Sequence, residues 1–314
     1  MAFEYNNKLI IGGNGFIGRN LIKYISESEV DFTIYILTRK VDYVSVKSNK
    51  IQYIIGDYTD VEFLDDIFKK HRFNSVFHFA SASIPVSSNS NIRDDVDNNL
   101  MPIINLLEVM KIYGCGFILY LSSGGAVYGE FQNEVLKETH ICQPISSYGV
   151  IKLTIENYIQ LYYKQHNISY LILRISNPYG PYHHSNKQGV INISLRNAIN
   201  SVPLNVWGDG EQAKDYVFVE DIAYIICELL KKNVKNQIFN VGSGYTFSLN
   251  NIIALIKQRI PTFQVSYESA KSADVKSVCL DIDKLKKYIY FIPTPIEIGI
   301  NKTLEWEKEH LNSL

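Results

Sequence analysis

Tyr148 and Lys152 stand four residues apart in SSYGVIKLTIENY. On a helix that spacing projects both side chains from one face. An unperturbed phenol ionises near pH ~10, too high for efficient proton exchange at neutral pH. A neighbouring ammonium favours the phenolate, so the pair reads as a proton carrier tuned by its own lysine. Upstream, LSSGGAVYGE at 121–130 brings Ser122 and Ser123 to the end of an apolar run. A hydroxyl there can hydrogen-bond the oxygen on which the proton is exchanged. The chain holds 22 tyrosines, so YxxxK spacing also arises by chance. Its weight comes from what precedes it.

What precedes it is KLIIGGNGFIGRNL at 8–21. An apolar strand, 8–11, runs into Gly12, Gly13, Gly15 and Gly18, and a helix continues through Leu21, Ile22 and Tyr24. Glycine permits a tight turn, close approach of backbone to a pyrophosphate, and close packing of helix on strand. The helix start offers unbonded N–H groups to the anion. A glycine-rich turn with no ligand is the competing reading of this stretch alone.

Strand-like runs at 33–37, 51–55, 75–79, 116–121 and 169–174 alternate with helical patterns at 16–26, 61–70, 98–113 and 148–166. Apolar strands separated by helices imply a parallel sheet covered on both faces. The fold class expected is therefore α/β, a Rossmann-like doubly wound parallel sheet. After Arg174 the rhythm breaks, and SNPYGPYHHSNKQG reads as a long loop. A helix at 190–200, a strand at 203–207, GDG, a strand at 216–219, a helix from Asp221 and a strand at 238–241 follow. Ser248 can cap a helix at 249–259, and a last helix lies near 300–310. Residues 1–175 are expected to form the dinucleotide-binding domain, with parts of 215–245 returning to it. Residues 176–314 are expected to form mostly a smaller C-terminal substrate-binding domain.

The 314 residues suit one large or two closely joined domains. Net charge is −1, with both signs spread along the chain, which leaves no basic footprint for nucleic acid or an anionic membrane. The four cysteines, Cys115, Cys142, Cys227 and Cys279, lack metal or disulfide spacing and read as reduced residues in or near the core. No apolar run reaches membrane-spanning length, and the first strand begins almost at once, so a cytoplasmic location is expected.

The resemblance rests on GGNGFIG (12–18), GDYTD (56–60), HFASAS (78–83), DNN (97–99), SSGGAVYG (122–129), SYGVIK (147–152), RISNPYGP (174–181), WGDGEQAKDYVFVED (207–221) and FNVGSG (239–244). With these the chain resembles the extended short-chain dehydrogenase/reductases of the nucleotide-sugar epimerase/dehydratase family, over essentially its whole length. The resemblance implies that Gly12, Gly15, Phe16, Ile17 and Gly18 cradle the cofactor. It implies that Asp57 contacts the adenine, with Tyr58 beside it, and that Phe79, Ala80 and Ser81 line the cofactor. Asn99 would hold the cofactor side, and Tyr148 and Lys152 would carry the proton chemistry. Ser83, Ser123, Asn177, Val190 and Lys214 would face the substrate.

Several positions depart from the family pattern. The usual catalytic hydroxyl position, four residues before the YG tyrosine, is Gly124, so the role passes to Ser123, with Ser122 in reserve. NAD-using members end the second strand with an acid. Here Thr38, Arg39 and Lys40 stand there, and Asp42 is the first carboxylate. Arg39, helped by Arg19, suits a 2′-phosphate, which favours NADP(H). Arg39 stacked on the adenine would admit NAD(H) equally. Lys214 stands where the family places an arginine near the substrate diphosphate, and the second such arginine, before the C-terminal Asp, is absent unless Lys271 replaces it. Trp207 and Tyr216 read as core residues. The adjacent His183 and His184 lack a third ligand and read as solvated loop or substrate contacts, with no metal.

The resemblance implies hydride transfer at C4 of a nucleoside-diphosphate hexose. The strand end Thr38–Arg39 favours an NADP(H)-dependent 4-keto-6-deoxyhexose reductase. A 4-epimerase with tightly bound NAD is the alternative, and a non-catalytic dinucleotide sensor the distant one. A dehydratase is disfavoured because no Asp-Glu pair occurs in 122–129. The helices at 98–113 and 148–166 are apolar on more than one face. With the resemblance, that implies a homodimer through a four-helix bundle.

Overall fold

The computed structural model describes residues 6–27, 33–40, 50–83, 88–129, 131, 134–269 and 277–310. Seven strands form one parallel sheet: β1 (Asn7–Ile11), β2 (Thr33–Thr38), β3 (Ile51–Ile55), β4 (Ser75–His78), β5 (Phe117–Ser123), β6 (Ser169–Ile175) and β7 (Gln237–Val241). Their order across the sheet is β7-β6-β5-β4-β1-β2-β3. The order reverses between β1 and β4, and ligand crevices open at such switch points, beyond the carboxyl ends of the strands. Gly12, Ala80 and Ser123 all lie just past or at those ends.

Helices cover both faces because the strands are apolar on both. On one face α1 (Phe16–Ser26) and α6 (Val219–Lys231) bury Leu21, Ile22, Ile25, Ile222, Ile225 and Ile226. On the other, α2 (Val61–His71), α3 (Met101–Ile112) and α4 (Ser147–His166) bury Leu64, Phe68, Ile103, Leu107, Ile155 and Ile159. Each such side chain contributes about 1.5–3 kcal/mol of hydrophobic stabilisation. Asp60 caps α2 by accepting from the Phe63 N–H, and Ser146 caps α4 by accepting from Gly149. The expected helix at 98–113 is instead a π-helical turn, Val96–Leu100, leading into α3. Pro102 has no N–H to donate, so regular α geometry starts at this point.

A separate core forms among α5 (Val190–Ile199), α7 (Leu249–Arg259), α8 (Ile296–Glu309) and short strands, around Leu195, Phe218, Ile252 and Ile300. The strand Ala213–Phe218 belongs to a second sheet, after which α6 and β7 return to the first. Asn177–Tyr179, expected inside a loop, pairs in parallel with Tyr216–Phe218. Helix α6 begins at Val219, ahead of Asp221, whose carboxylate instead binds the Thr294 N–H and hydroxyl. Ser248 and Asn251 form a reciprocal capping box on α7. All four cysteines are free thiols.

Candidate active site

The turn after β1 is built by backbone constraint. Gly12 adopts φ +82°, and a Cβ there would lie 2.7 Å from the Ala80 nitrogen. A Cβ on Gly18 would lie 2.5 Å from the Gly13 carbonyl oxygen, so α1 rests directly on the turn. Gly15 is the N-cap of α1, with no side-chain hydrogen bond and no acid in the first turn. The first N–H groups of the helix are therefore left for an anion. The cradle fits a dinucleotide pyrophosphate.

From the turn runs a cleft of about 340 Å³ that brings together Gly12, Gly15, Thr38, Arg39, Asp57, Tyr58, Ala80 and Ser81. Asn14 and Asn98 also line it, and neither was singled out from the sequence. Asn14 lies inside the glycine motif, where its Nδ2 donates to Thr38 Oγ1 (3.2 Å) and ties the turn to the end of β2. The Asp57 carboxylate accepts from the Thr59 N–H and hydroxyl at 3.0 and 2.9 Å, which fixes the turn it sits on. Phe16, Ile17, Gly18 and Phe79 do not line the cleft. The rings of Ile17's neighbour Phe16 and of His183 meet edge to face at 4.6 Å, while Ile17 and Phe79 pack against the sheet core. Asp42 and Lys271 lie outside the described residues.

Ser122 and Ser123 point to opposite faces of β5, as successive strand residues must. Ser122 donates to Glu156 Oε1, and Glu156 also takes Arg174 Nη2 (2.7 Å) and Nε (3.1 Å). Arg174 in turn donates to the Tyr128 hydroxyl (3.0 Å). Ser122 is thus committed to a buried ionic network. Ser123 faces the other way, and its influence on the Tyr148 phenol is to lower that group's pKa. The start of α4 is anchored by Ser147 Oγ donating to Asp95 Oδ2 (2.7 Å) and by the Tyr148 N–H donating to Ser88 Oγ (3.1 Å).

Lys152 is buried, donates to the Leu121 carbonyl (3.0 Å), and has its Nζ 5.6 Å from the centre of the Tyr148 ring. Burial pushes the phenol up to about 12, Asp95 adds to this, and the Ser123 hydrogen bond opposes it. Burial likewise lowers the lysine to about 8, with Glu156 opposing. Among the protein's own groups, then, burial outweighs the tuning expected from Lys152. The phenol rests protonated.

The remaining positions spread more widely. Asn99 is buried. It accepts from the Ala82 N–H (2.8 Å) and donates to Asp95 Oδ1 (3.0 Å) and Ser83 Oγ (3.2 Å), so it shapes the 81–83 segment from behind. Asn177 Nδ2 donates to the Asp215 carbonyl (2.9 Å). Val190 opens α5, and Lys214 is exposed on the strand beside Asn177. Tyr216 is buried as expected, but Trp207 is 42% exposed because the strand Leu204–Trp207 alternates and turns it outward. His183 is buried as well, not solvated. It packs under Gly189 and against Phe16, and burial beside Arg196 lowers its pKa to about 4. Among the described residues no cluster of His, Cys, Asp or Glu could hold a metal, and no helix is long and apolar enough to cross a membrane.

Residues 8–242 match the NAD dependent epimerase/dehydratase family. A Methanocaldococcus jannaschii protein provisionally named UDP-glucose 4-epimerase is 32% identical over 306 residues, 96% of this chain and 98% of the relative. The dTDP-4-dehydro-6-deoxyglucose reductase of Escherichia coli is 29% identical over 312 residues, 97% and 98% of the two chains. Among solved structures, the Thermotoga maritima UDP-glucose 4-epimerase with UDP-glucose superposes with a TM-score of 0.89 at 28% identity, covering 97% of this chain and 99% of the other. The family match covers most of the chain and the fold superposes over nearly all of it, so the chain belongs to the NAD-dependent epimerase/dehydratase family.

Proposed function

We propose that the protein transfers hydride at C4 of a hexose carried on a nucleoside diphosphate. The observation that carries this reading is one continuous site. Ala80 and Ser81 border both the glycine cleft and the small cavity lined by Tyr148 and Lys152. A nicotinamide bound there supplies or accepts the hydride. The chain's own residues handle the rest. The Gly12–Gly18 turn and the start of α1 hold the pyrophosphate, with Asp57 and Tyr58 on the adenine side. Tyr148 gives its proton to O4 as a ketone becomes an alcohol, or takes it in the reverse direction. Ser123 orients that oxygen, and the Lys152 ammonium favours the phenolate left behind. Ser83 lines the Tyr148 cavity, and Asn177, Val190 and Lys214 are assigned to the sugar nucleotide by the family resemblance.

Within this class we favour an NADP(H)-linked 4-keto-sugar reductase. Arg39 stands in the cleft at the end of β2, where a 2′-phosphate would need a cation. The second reading, a 4-epimerase with NAD retained, is supported by the likeness to UDP-glucose 4-epimerases. Dehydration is disfavoured, because residues 122–129 carry no Asp-Glu pair after the position of the catalytic hydroxyl. Exposed Met101 and Ile112 on α3 and Val150 and Leu161 on α4 support a homodimer through these helices.

The deciding experiment incubates the protein with UDP- and dTDP-linked hexoses and 4-keto-hexoses, with and without NADPH or NADH. Stoichiometric NADPH oxidation identifies the reductase. Turnover with none consumed identifies the epimerase, and a clear preference for NADH refutes the role given to Arg39. Tyr148→Phe should lower turnover by about 10²–10⁴ while dinucleotide binding persists. Unchanged biological activity in that variant points to the sensor.

A further inference from the structure

His78 ends β4 and is paired in register with Tyr120 of β5, so the two side chains emerge side by side on one face of the sheet. Their rings lie 5.9 Å apart, and the Lys152 Nζ sits 4.9 Å from the Tyr120 ring centre. Both residues are buried. Among the described residues neither the Tyr120 hydroxyl nor either His78 ring nitrogen has a hydrogen-bond partner. Together with Lys152 and Tyr148 they line one cavity of about 10 Å³, close to the space one water molecule needs.

Orphaned polar groups rarely cluster in this way. A buried donor or acceptor without a partner costs about 1–3 kcal/mol, and native interiors satisfy such groups with protein atoms or ordered water. The Lys152 ammonium has three donors, of which the Leu121 carbonyl takes one. Burial keeps His78 neutral, with its pKa lowered to about 3, so one ring nitrogen remains an acceptor. A single water could accept from the ammonium and from the Tyr120 hydroxyl while donating to that nitrogen.

We propose that His78 and Tyr120 are positioning residues that hold one water molecule against the Lys152 ammonium and so fix its direction and keep it charged. This rests on the reading of Lys152 as the site's cation. The other groups facing Lys152 are Tyr148 and Glu156 on its own helix, the latter shared with Arg174. Tyr58 stands behind His78, and Asp95 lies near Tyr148. None of these fills the cavity between the lysine and β4.

Tyr120→Phe removes the hydroxyl and nothing else. The test follows reduced-dinucleotide binding by nucleotide fluorescence from pH 6 to 10, together with thermal unfolding of the ligand-free protein. With the water's partner removed, the pH midpoint for binding should fall by about one unit, a tenfold change in the proton equilibrium, and Tm should fall. His78→Leu should shift the midpoint in the same direction, and His78→Gln, which keeps an acceptor, should shift it less. An unmoved midpoint, or a higher Tm in Tyr120→Phe as expected when an orphaned hydroxyl is deleted, overturns the proposal. Should the parent protein bind no dinucleotide at all, the reading of the cleft fails, and the sign of the Tm change still decides whether Tyr120 holds a water.

Discussion

Lys152→Met is expected to yield a more stable and inactive protein. Burial holds the lysine at about 8 against an ordinary 10.5. The unfolded chain therefore binds the proton more tightly between those values. The stability linked to this group is present above pH 10.5 and lost as pH falls through 8. Over that interval the penalty at neutral pH amounts to about 3 kcal/mol. Methionine fills similar volume without charge, but it leaves the Leu121 carbonyl without its 3.0 Å donor, at about 1 kcal/mol. The net expectation is about 2 kcal/mol of added stability at pH 7, shrinking to nothing or slightly reversing above pH 10.5. Urea denaturation of both proteins at pH 7 and pH 10, without nucleotide, measures the difference. A variant less stable than the parent at pH 7, or a gap that stays constant with pH, would refute the reasoning.

Three further outcomes follow from the geometry. Gly12→Ala forces a Cβ to within 2.7 Å of the Ala80 nitrogen at φ +82°, so it should weaken dinucleotide binding by roughly tenfold or more and cost about 1–3 kcal/mol of stability, read by titration and by denaturant midpoint. Ser123→Ala should lower kcat with little change in unfolding, whereas Ser122→Ala, which strips a bond from the buried Glu156, should lower stability by about 1–3 kcal/mol. The reverse pattern would exchange the two roles. Leu161→Glu places a charge on the exposed face of α4 and should convert a dimer to a monomer by light scattering, while an unchanged mass places the interface elsewhere.

The alternation of strands and helices, the glycine turn and the Tyr148–Lys152 pair were all legible in the chain, because each depends on neighbours within a turn or two. Apolar runs of four to six residues alternating with helical patterns imply the strands of a covered parallel sheet. A phenol and an amine four residues apart on a helix must share a side. The capping box at Ser248 is equally local.

Tertiary structure alone decided the rest. Ser122 and Ser123 are adjacent and chemically equal, and only Glu156, 34 residues away, separates them by claiming the first. Asn99, expected on the cofactor side, lines the cavity of Tyr148 and Lys152, and only the folded chain shows that Ala82, Ser83 and Asp95 hold its amide there. The loop holding His183 looked polar and solvated, yet Asn20 reaches across 161 residues to the Pro181 carbonyl and draws that loop onto α1. His78 and Tyr120 carry no motif at all. They become neighbours only through the register of β4 with β5, since burial and pairing between distant segments depend on the whole packed core.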